Sequence, residues 1–369
     1  MNSLSNLRSL LRLPLYRDIF HSLKGQRALE AGPRITVVGG GTGLPSLIRG
    51  IKHYSHNITA IVTMADDGGS SGRLRSELGI QPPGDIRNCL VAMADSEAVM
   101  QQLMDYRFSS DGQLNGHSFG NMLIAALAGI GGDFYRAVEI AGELLAIRGR
   151  VIPSTTTDVT LIGRTETGET LTGETSVASA RSRMQSLSLL PPNPQAHPEA
   201  VAALEEADLV IIGPGSLYTS IVPNLLIPGI SQAVAHSRAL KIYVCNVAEE
   251  PRQTEGYSVQ EHLDVVRRYA GDDSVHAVIA NSSIPAGPTP AGLDFIRPRR
   301  PWSDTALLIE ADVIDESATA RHDPAKLAQT VAATYRGHRG KRRRLPKPKP
   351  VPSAQSSKRE LQSQALCGD

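Results

Sequence analysis

Glycine, hydroxyl and carboxylate residues gather in this chain where short β-branched runs stop. After the run at residues 35–38 come Gly39, Gly40, Gly41, Thr42 and Gly43. Glycines let backbone N–H groups approach a ligand closely. A helix beginning there adds unpaired donors and a partial positive charge, so the stretch can hold a phosphate. A tight strand-to-helix turn would use the same glycines. Two nucleotide fingerprints are excluded: the third glycine of G-x-G-x-x-G falls on Leu44, and no Gly-Lys-Ser/Thr follows.

A second run, residues 58–64, ends in Asp66, Asp67, Gly68, Gly69, Ser70 and Ser71. An acidic residue about 20 positions past a glycine loop is placed to bind a ribose hydroxyl. Adjacent carboxylates also suit a hard cation such as Mg²⁺ beside a phosphate. The alternative is a solvated turn in which Ser70 or Ser71 caps the next helix. Further on, Pro82, Pro83 and Gly84 force a turn in which Asp85 can cap a helix starting at Ile86. Arg87 and Asn88 then fall in its first turn, able either to meet an anion or, for Arg87, to pair with Asp85. In the loop at 115–121, Asn121 opens a helix, and His117 reads equally as a loop histidine bonded to neighbouring backbone. Gly213, Gly215 and Ser216 repeat the strand–glycine–hydroxyl device, and two later runs end at Asn246 and Asn281. Ligands of open parallel sheets bind outside the carboxyl ends of the strands. The coincidence of these strand ends points to a nucleotide or other phosphorylated ligand more strongly than any single loop.

The elements that must position these groups follow an α/β alternation. Strands are expected at 35–38, 58–64, 208–212, 242–245, 275–280 and 307–313. Helices are expected at 44–51, from 86, and at 122–128, 134–147, 257–269 and 326–335, the last capped by Asp323 with Pro324 in its first position. Residues 151–175 interrupt the pattern with a β-hairpin turning at Thr167 and Gly168, and 190–199 reads as a proline-rich connector. Residues 1–32 form an amphipathic basic extension, with Leu4, Leu7, Leu10 and Leu11 among Arg8, Arg12 and Arg17. Residues 336–369 form a tail rich in Lys, Arg and Pro, expected to be disordered. Either end could meet an anionic surface.

Of the 369 residues, 41% are hydrophobic, enough for a full core, and the net charge is +1. Aromatics at 4% argue against a stacking platform for single-stranded nucleic acid. Cys89, Cys245 and Cys367 stand alone, so no zinc or disulfide framework is read. No apolar run reaches a membrane span and no signal peptide is evident, so a cytoplasmic protein is expected.

The segments GGGTGL (39–44), DDGGSSG (66–72), PPGDIRNCL (82–90), HSFGN (117–121), GPGSLYTSIVPNLL (213–226) and RHDPAKLA (321–328) together resemble the YvcK-type gluconeogenesis factor family. That family is similar in turn to CofD-type 2-phospho-L-lactate transferase. The resemblance covers residues 33–335. It implies a Rossmann-like three-layer α/β/α fold with a mainly parallel sheet and a small antiparallel excursion. It also implies a UDP-sugar ligand, UDP-N-acetylglucosamine in particular, and a regulatory role in cell shape during gluconeogenic growth. By match to the motifs, Gly40, Gly41, Thr42 and Gly43 with Gly213, Gly215 and Ser216 would hold phosphates. Asp66 and Asp67 would sit at the ligand or, in a transferase, at Mg²⁺. Ser70, Ser71, Arg87, Asn88, Asn121, Asn246 and Arg321 complete the expected ligand set. A homo-oligomer and a protein partner in cell-wall precursor regulation are expected as well. The transferase branch would instead move a phospholactyl-type group from a guanosine diphosphate carrier onto a deazaflavin. Two departures stand out. No tyrosine lies between Tyr269 and Tyr335, where Pro285, Pro288 and Pro290 stand instead, and the segment 249–257 opens on Glu249 and Glu250.

Overall fold

The structure is a computed structural model that describes residues 32–95, 97–284 and 294–344. The amphipathic extension, the prolines at 285–290 and the tail beyond Arg344 lie outside the described residues.

Among the described residues, ten strands form two sheets. The first strand, β1 (Ile35–Gly39), is central. It pairs in parallel with β2 (Ile58–Val62) on one side and β7 (Leu209–Ile212) on the other, Ile35 standing opposite both Ile58 and Leu209. Outward from β2 lies β3 (Arg150–Pro153). Outward from β7 lie β8 (Leu240–Val244), β9 (Ala277–Asn281) and β10 (Leu307–Ala311), giving the order β10-β9-β8-β7-β1-β2-β3 with every pair parallel. Val37, Val38, Ile61, Val62, Ile211 and Ile242 are buried, as expected of strands covered on both faces. The chain runs outward from β1 to β3, then returns to β7 and runs outward the other way. The order therefore reverses between β1 and β7, the place where such sheets open a crevice.

The helices before the crossover are α1 (Gly43–Ile51), α2 (Gly69–Leu78), α3 (Gly84–Met93), α4 (Glu97–Asp105), α5 (Phe119–Gly131) and α6 (Phe134–Leu144). The excursion is larger than a hairpin. β4 (Thr160–Thr165) pairs antiparallel with β5 (Thr170–Thr172) around the expected turn at Thr167 and Gly168. Its other edge takes β6 (Met184–Leu190), whose alternating burial marks a half-covered strand. A short helix, α7 (Glu174–Ala178), hangs beneath this sheet. There follow α8 (Pro198–Glu206), a π-helical turn at Leu217–Ile221, α9 (Val222–Leu225), α10 (Pro228–His236), α11 (Val259–Ala270) and α12 (Pro324–Arg344).

Asp323 accepts the N–H of Lys326 at 2.8 Å, the expected cap of α12. The helix itself passes the expected end at 335 and runs to Arg344. Two expected caps are corrected. Pro83, not Asp85, precedes α3, and Gly68, not a serine, precedes α2. Cys89 and Cys245 are buried and free. Among the described residues no helix is long and apolar enough to cross a membrane.

Candidate functional site

A cleft of about 460 Å³ opens where the strand order reverses, above the carboxyl ends of β1, β7 and β8. Its floor is the first glycine loop (Gly41, Thr42, Gly43) with Ser46 of α1. One wall is Pro214–Ser216 with Thr219 and Ser220, another is Asn246 to Pro251, and the rim carries Glu174, Arg321 and His322. Elements far apart in sequence thus meet at one place.

The first loop is held open by specific contacts. Gly41 has φ +64°, a left-handed conformation that favours glycine. Its N–H donates to the Asp85 carboxylate at 2.7 Å, so the residue expected to cap α3 instead pins the loop. A Cβ on Gly43 would stand 2.7 Å from the Pro214 carbonyl oxygen, which is how closely the two glycine loops pass. No side chain caps α1, which leaves its first-turn N–H groups as donors at the cleft. The buried Asn224 donates to the carbonyls of Gly39 (3.0 Å) and Ser220 (2.8 Å), tying the end of β1 to the π turn.

The second loop looks similar in sequence but its donors are engaged. Gly215 N–H meets Asn246 Oδ1 at 3.3 Å, and Ser216 Oγ donates to Glu250 Oε2 at 2.8 Å. The Leu217 N–H also donates to Glu250, and Asn246 Nδ2 reaches Glu250 Oε1 at 3.3 Å. Burial raises the Glu250 carboxyl above the usual range, against the lowering effect of these donors.

Beside the cleft lies a group of carboxylates. So much protein surrounds Asp85 that its carboxyl is pushed up to about 6, chiefly by desolvation, with the Gly41 bond opposing and the Asp66 charge adding. Glu174 is pushed up to about 7, again by desolvation first, then by the Asp66 charge, while a bond from Thr219 lowers it. Asp66 accepts the Gly68 N–H at 2.9 Å. Asp67 accepts both the N–H (2.9 Å) and the hydroxyl (2.7 Å) of Thr175, anchoring the first turn of α7. Among the described residues no three His, Cys, Asp or Glu side chains converge as a metal site. A Mg²⁺ held here would need phosphate oxygens to complete its shell.

The remaining sequence-derived candidates form a buried network behind the cleft rather than its lining. Arg87 donates to Ser118 Oγ (2.6 Å), Asn121 Oδ1 (3.3 Å) and Asn88 Oδ1 (2.7 Å), and pairs with Asp105 at 3.4 Å rather than with Asp85. Asn121 Nδ2 donates to Ser70 Oγ at 3.2 Å, and that hydroxyl also meets His117 Nδ1 at 3.0 Å, in place of a backbone partner for the histidine. Ser71 Oγ accepts the Gly84 N–H at 3.1 Å. These bonds tie α2, α3 and α5 together beneath Asp66. The cleft therefore gathers Gly41, Thr42, Gly43, Gly215, Ser216, Asn246 and Arg321 of the expected set, and adds Ser46, Glu174, Glu250 and His322. His322 is buried, meets the Cys245 carbonyl at 3.1 Å through Nε2, and is driven down to about 4 by desolvation, so it is neutral.

Comparison with known proteins gives consistent results. The family model described as 2-phospho-L-lactate transferase CofD matches residues 35–290. A Bacillus subtilis protein named gluconeogenesis factor is 45% identical over 250 residues, 68% of this chain and 79% of its own length. A Nostoc protein provisionally given the same name is 43% identical over 355 residues, 92% of this chain and 77% of its own. A crystal structure of a UPF0052-family protein from Bacillus halodurans superposes with a TM-score of 0.75 at 37% identity, covering 82% of this chain and 99% of that one.

Proposed function

This chain belongs to the CofD family together with proteins named gluconeogenesis factor, and on that premise we propose that it is a regulatory protein that binds a UDP-sugar, UDP-N-acetylglucosamine, in the cleft between β1 and β7. The observation that carries the reading is the first glycine loop: it stands at the carboxyl end of β1, pinned by Asp85, with the uncapped start of α1 behind it and Arg321 on the facing rim. Helix-start N–H groups and one guanidinium suit a diphosphate. The cleft's volume suits a small ligand. The role in the cell that goes with this reading is control of cell shape under gluconeogenic growth.

A second reading is favoured by one observation, the adjacent carboxylates of Asp66 and Asp67 beside the cleft. With phosphate oxygens completing its shell, a Mg²⁺ held by them would offset the charge of a transferring phosphodiester, as a CofD-type 2-phospho-L-lactate transferase acting on a deazaflavin requires. Calorimetric titration of the purified protein with UDP-N-acetylglucosamine, beside GDP with Mg²⁺, separates the two. Saturable binding of the UDP-sugar, recovered unchanged, supports the regulatory reading. Preference for GDP, or metal-dependent consumption of a guanosine-linked donor, overturns it in favour of the transferase.

A further inference from the structure

Glu250 is a feature of the cleft that glycine-loop chemistry does not call for. It stands on the loop after β8, with no Lys or Arg bonded to it among the described residues, yet it accepts the Ser216 hydroxyl at 2.8 Å, the Leu217 N–H and the Asn246 amide at 3.3 Å. The Ser216 hydroxyl and the Leu217 N–H are donors by which the second glycine loop would hold a phosphate. Even a half-buried carboxylate without a cation is costly, and it persists where surrounding donors satisfy it.

We propose that Glu250 is a specificity-determining residue: its carboxylate takes the donors of the second glycine loop, keeps a further phosphate off that loop, and leaves it to the uncharged, hydroxyl-bearing end of the ligand. The inference rests on the reading of the cleft as the site of a phosphate-bearing ligand, and it sets that ligand's orientation. The phosphates lie along the first loop, Gly41 to Gly43. The neutral polyol end faces Glu250, whose remaining lone pairs accept hydroxyl groups. Glu249 lines the same wall, so an anion brought to the second loop meets two carboxylates. At separations of a few ångströms and an effective dielectric of ~20, repulsion of this kind outweighs one or two hydrogen bonds.

The test is a pair of calorimetric titrations, inorganic pyrophosphate and UDP-N-acetylglucosamine, on the full chain carrying Glu250, Glu250→Gln or Glu250→Ala. Melting curves run alongside confirm that each variant is folded, and the Gln variant preserves shape if the Ala variant unfolds. The expected result is a gain of about tenfold or more in pyrophosphate affinity in the variants. Unchanged or weakened pyrophosphate binding in the folded variants overturns the proposal. The sugar-nucleotide arm reports on the functional reading separately. If no protein binds UDP-N-acetylglucosamine while the pyrophosphate gain persists, the ligand assignment fails and the role of Glu250 stands.

Discussion

Replacing Gly43 by alanine is the sharpest perturbation of the proposed site, because its effect can be worked from geometry. The added Cβ would stand 2.7 Å from the Pro214 carbonyl oxygen, 2.8 Å from its carbonyl carbon and 3.0 Å from the Gly215 nitrogen. Ordinary contact begins near 3.4 Å, so one loop must retreat by roughly 0.7 Å, and the obstructing atoms are backbone rather than the tip of a flexible side chain. Overpacking of this kind costs about 1–3 kcal/mol. The same displacement moves the donors that face the ligand. A loss of about 1.4 kcal/mol in binding is tenfold in Kd, so UDP-N-acetylglucosamine should bind at least ten times more weakly, with the protein still folded. The assay pairs calorimetric titration with denaturant unfolding. Gly129→Ala serves as control: Gly129 is exposed within α5 with open space around it, and alanine there should stabilise by about 0.5–1 kcal/mol without touching affinity. If Gly43→Ala binds the ligand as tightly as the parent chain, the first glycine loop is not the phosphate site and the argument fails at its root.

Arg321→Ala should weaken the same ligand about tenfold, by loss of a charge-assisted bond, while unfolding free energy changes by less than ~0.5 kcal/mol because the side chain is exposed; equal affinity would remove Arg321 from the site. Arg87→Ala should cost about 2–4 kcal/mol in denaturant unfolding, since Ser118, Asn121 and Asn88 lose their buried donor; a loss under ~0.5 kcal/mol would show the network to be dispensable. Asp85 holds its proton more tightly folded (about 6) than unfolded (3.8), so the folded state binds more protons between those values and stability falls as pH rises through that window. Against Asp85→Asn, the parent chain should lose up to about 3 kcal/mol of relative stability from pH ~4 to ~6, read from unfolding curves across pH; parallel curves would refute the burial of that charge.

Much of the fold was legible because its signals are local. β-Branched runs closed by glycine or asparagine mark β1, β7, β8 and β9, and the Thr167–Gly168 turn marks β4 and β5. β3 escaped because Arg150–Pro153 is short and ends in proline, a pattern tolerated only at an edge, which is where it lies. β6 escaped because it returns to β4 across the α7 segment, a pairing with no turn signal of its own. The same distinction sorts the site. Gly41 to Gly43 and Asn246 line the cleft, as their place at strand ends leads one to expect, and Arg321, expected from the family resemblance, lies on its rim. Asp85 did not follow its sequence reading: a carboxylate in a helix's first turn reads as a cap, and only the packing of α3 against α1 brings it to Gly41. Arg87 and Asn121 read as ligand contacts because a buried ionic network and an anion site draw on the same residue types.

The charge balance of the cleft decides how it could work. Glu174, Glu249 and Glu250 line it against the single guanidinium of Arg321 among the described residues, which looks hostile to a diphosphate. Two features reduce the opposition. Desolvation lifts the Glu174 carboxyl to about 7, so it is only partly charged near neutral pH. The first loop also offers N–H dipoles at the start of α1, whose field falls off within one turn. An anion seated there gains from the helix and is kept from sliding toward the second loop by Glu250. The carboxylates therefore act on orientation more than on affinity: they reject a ligand charged at both ends and accept one whose charge is confined to one side of a neutral, hydroxyl-rich group.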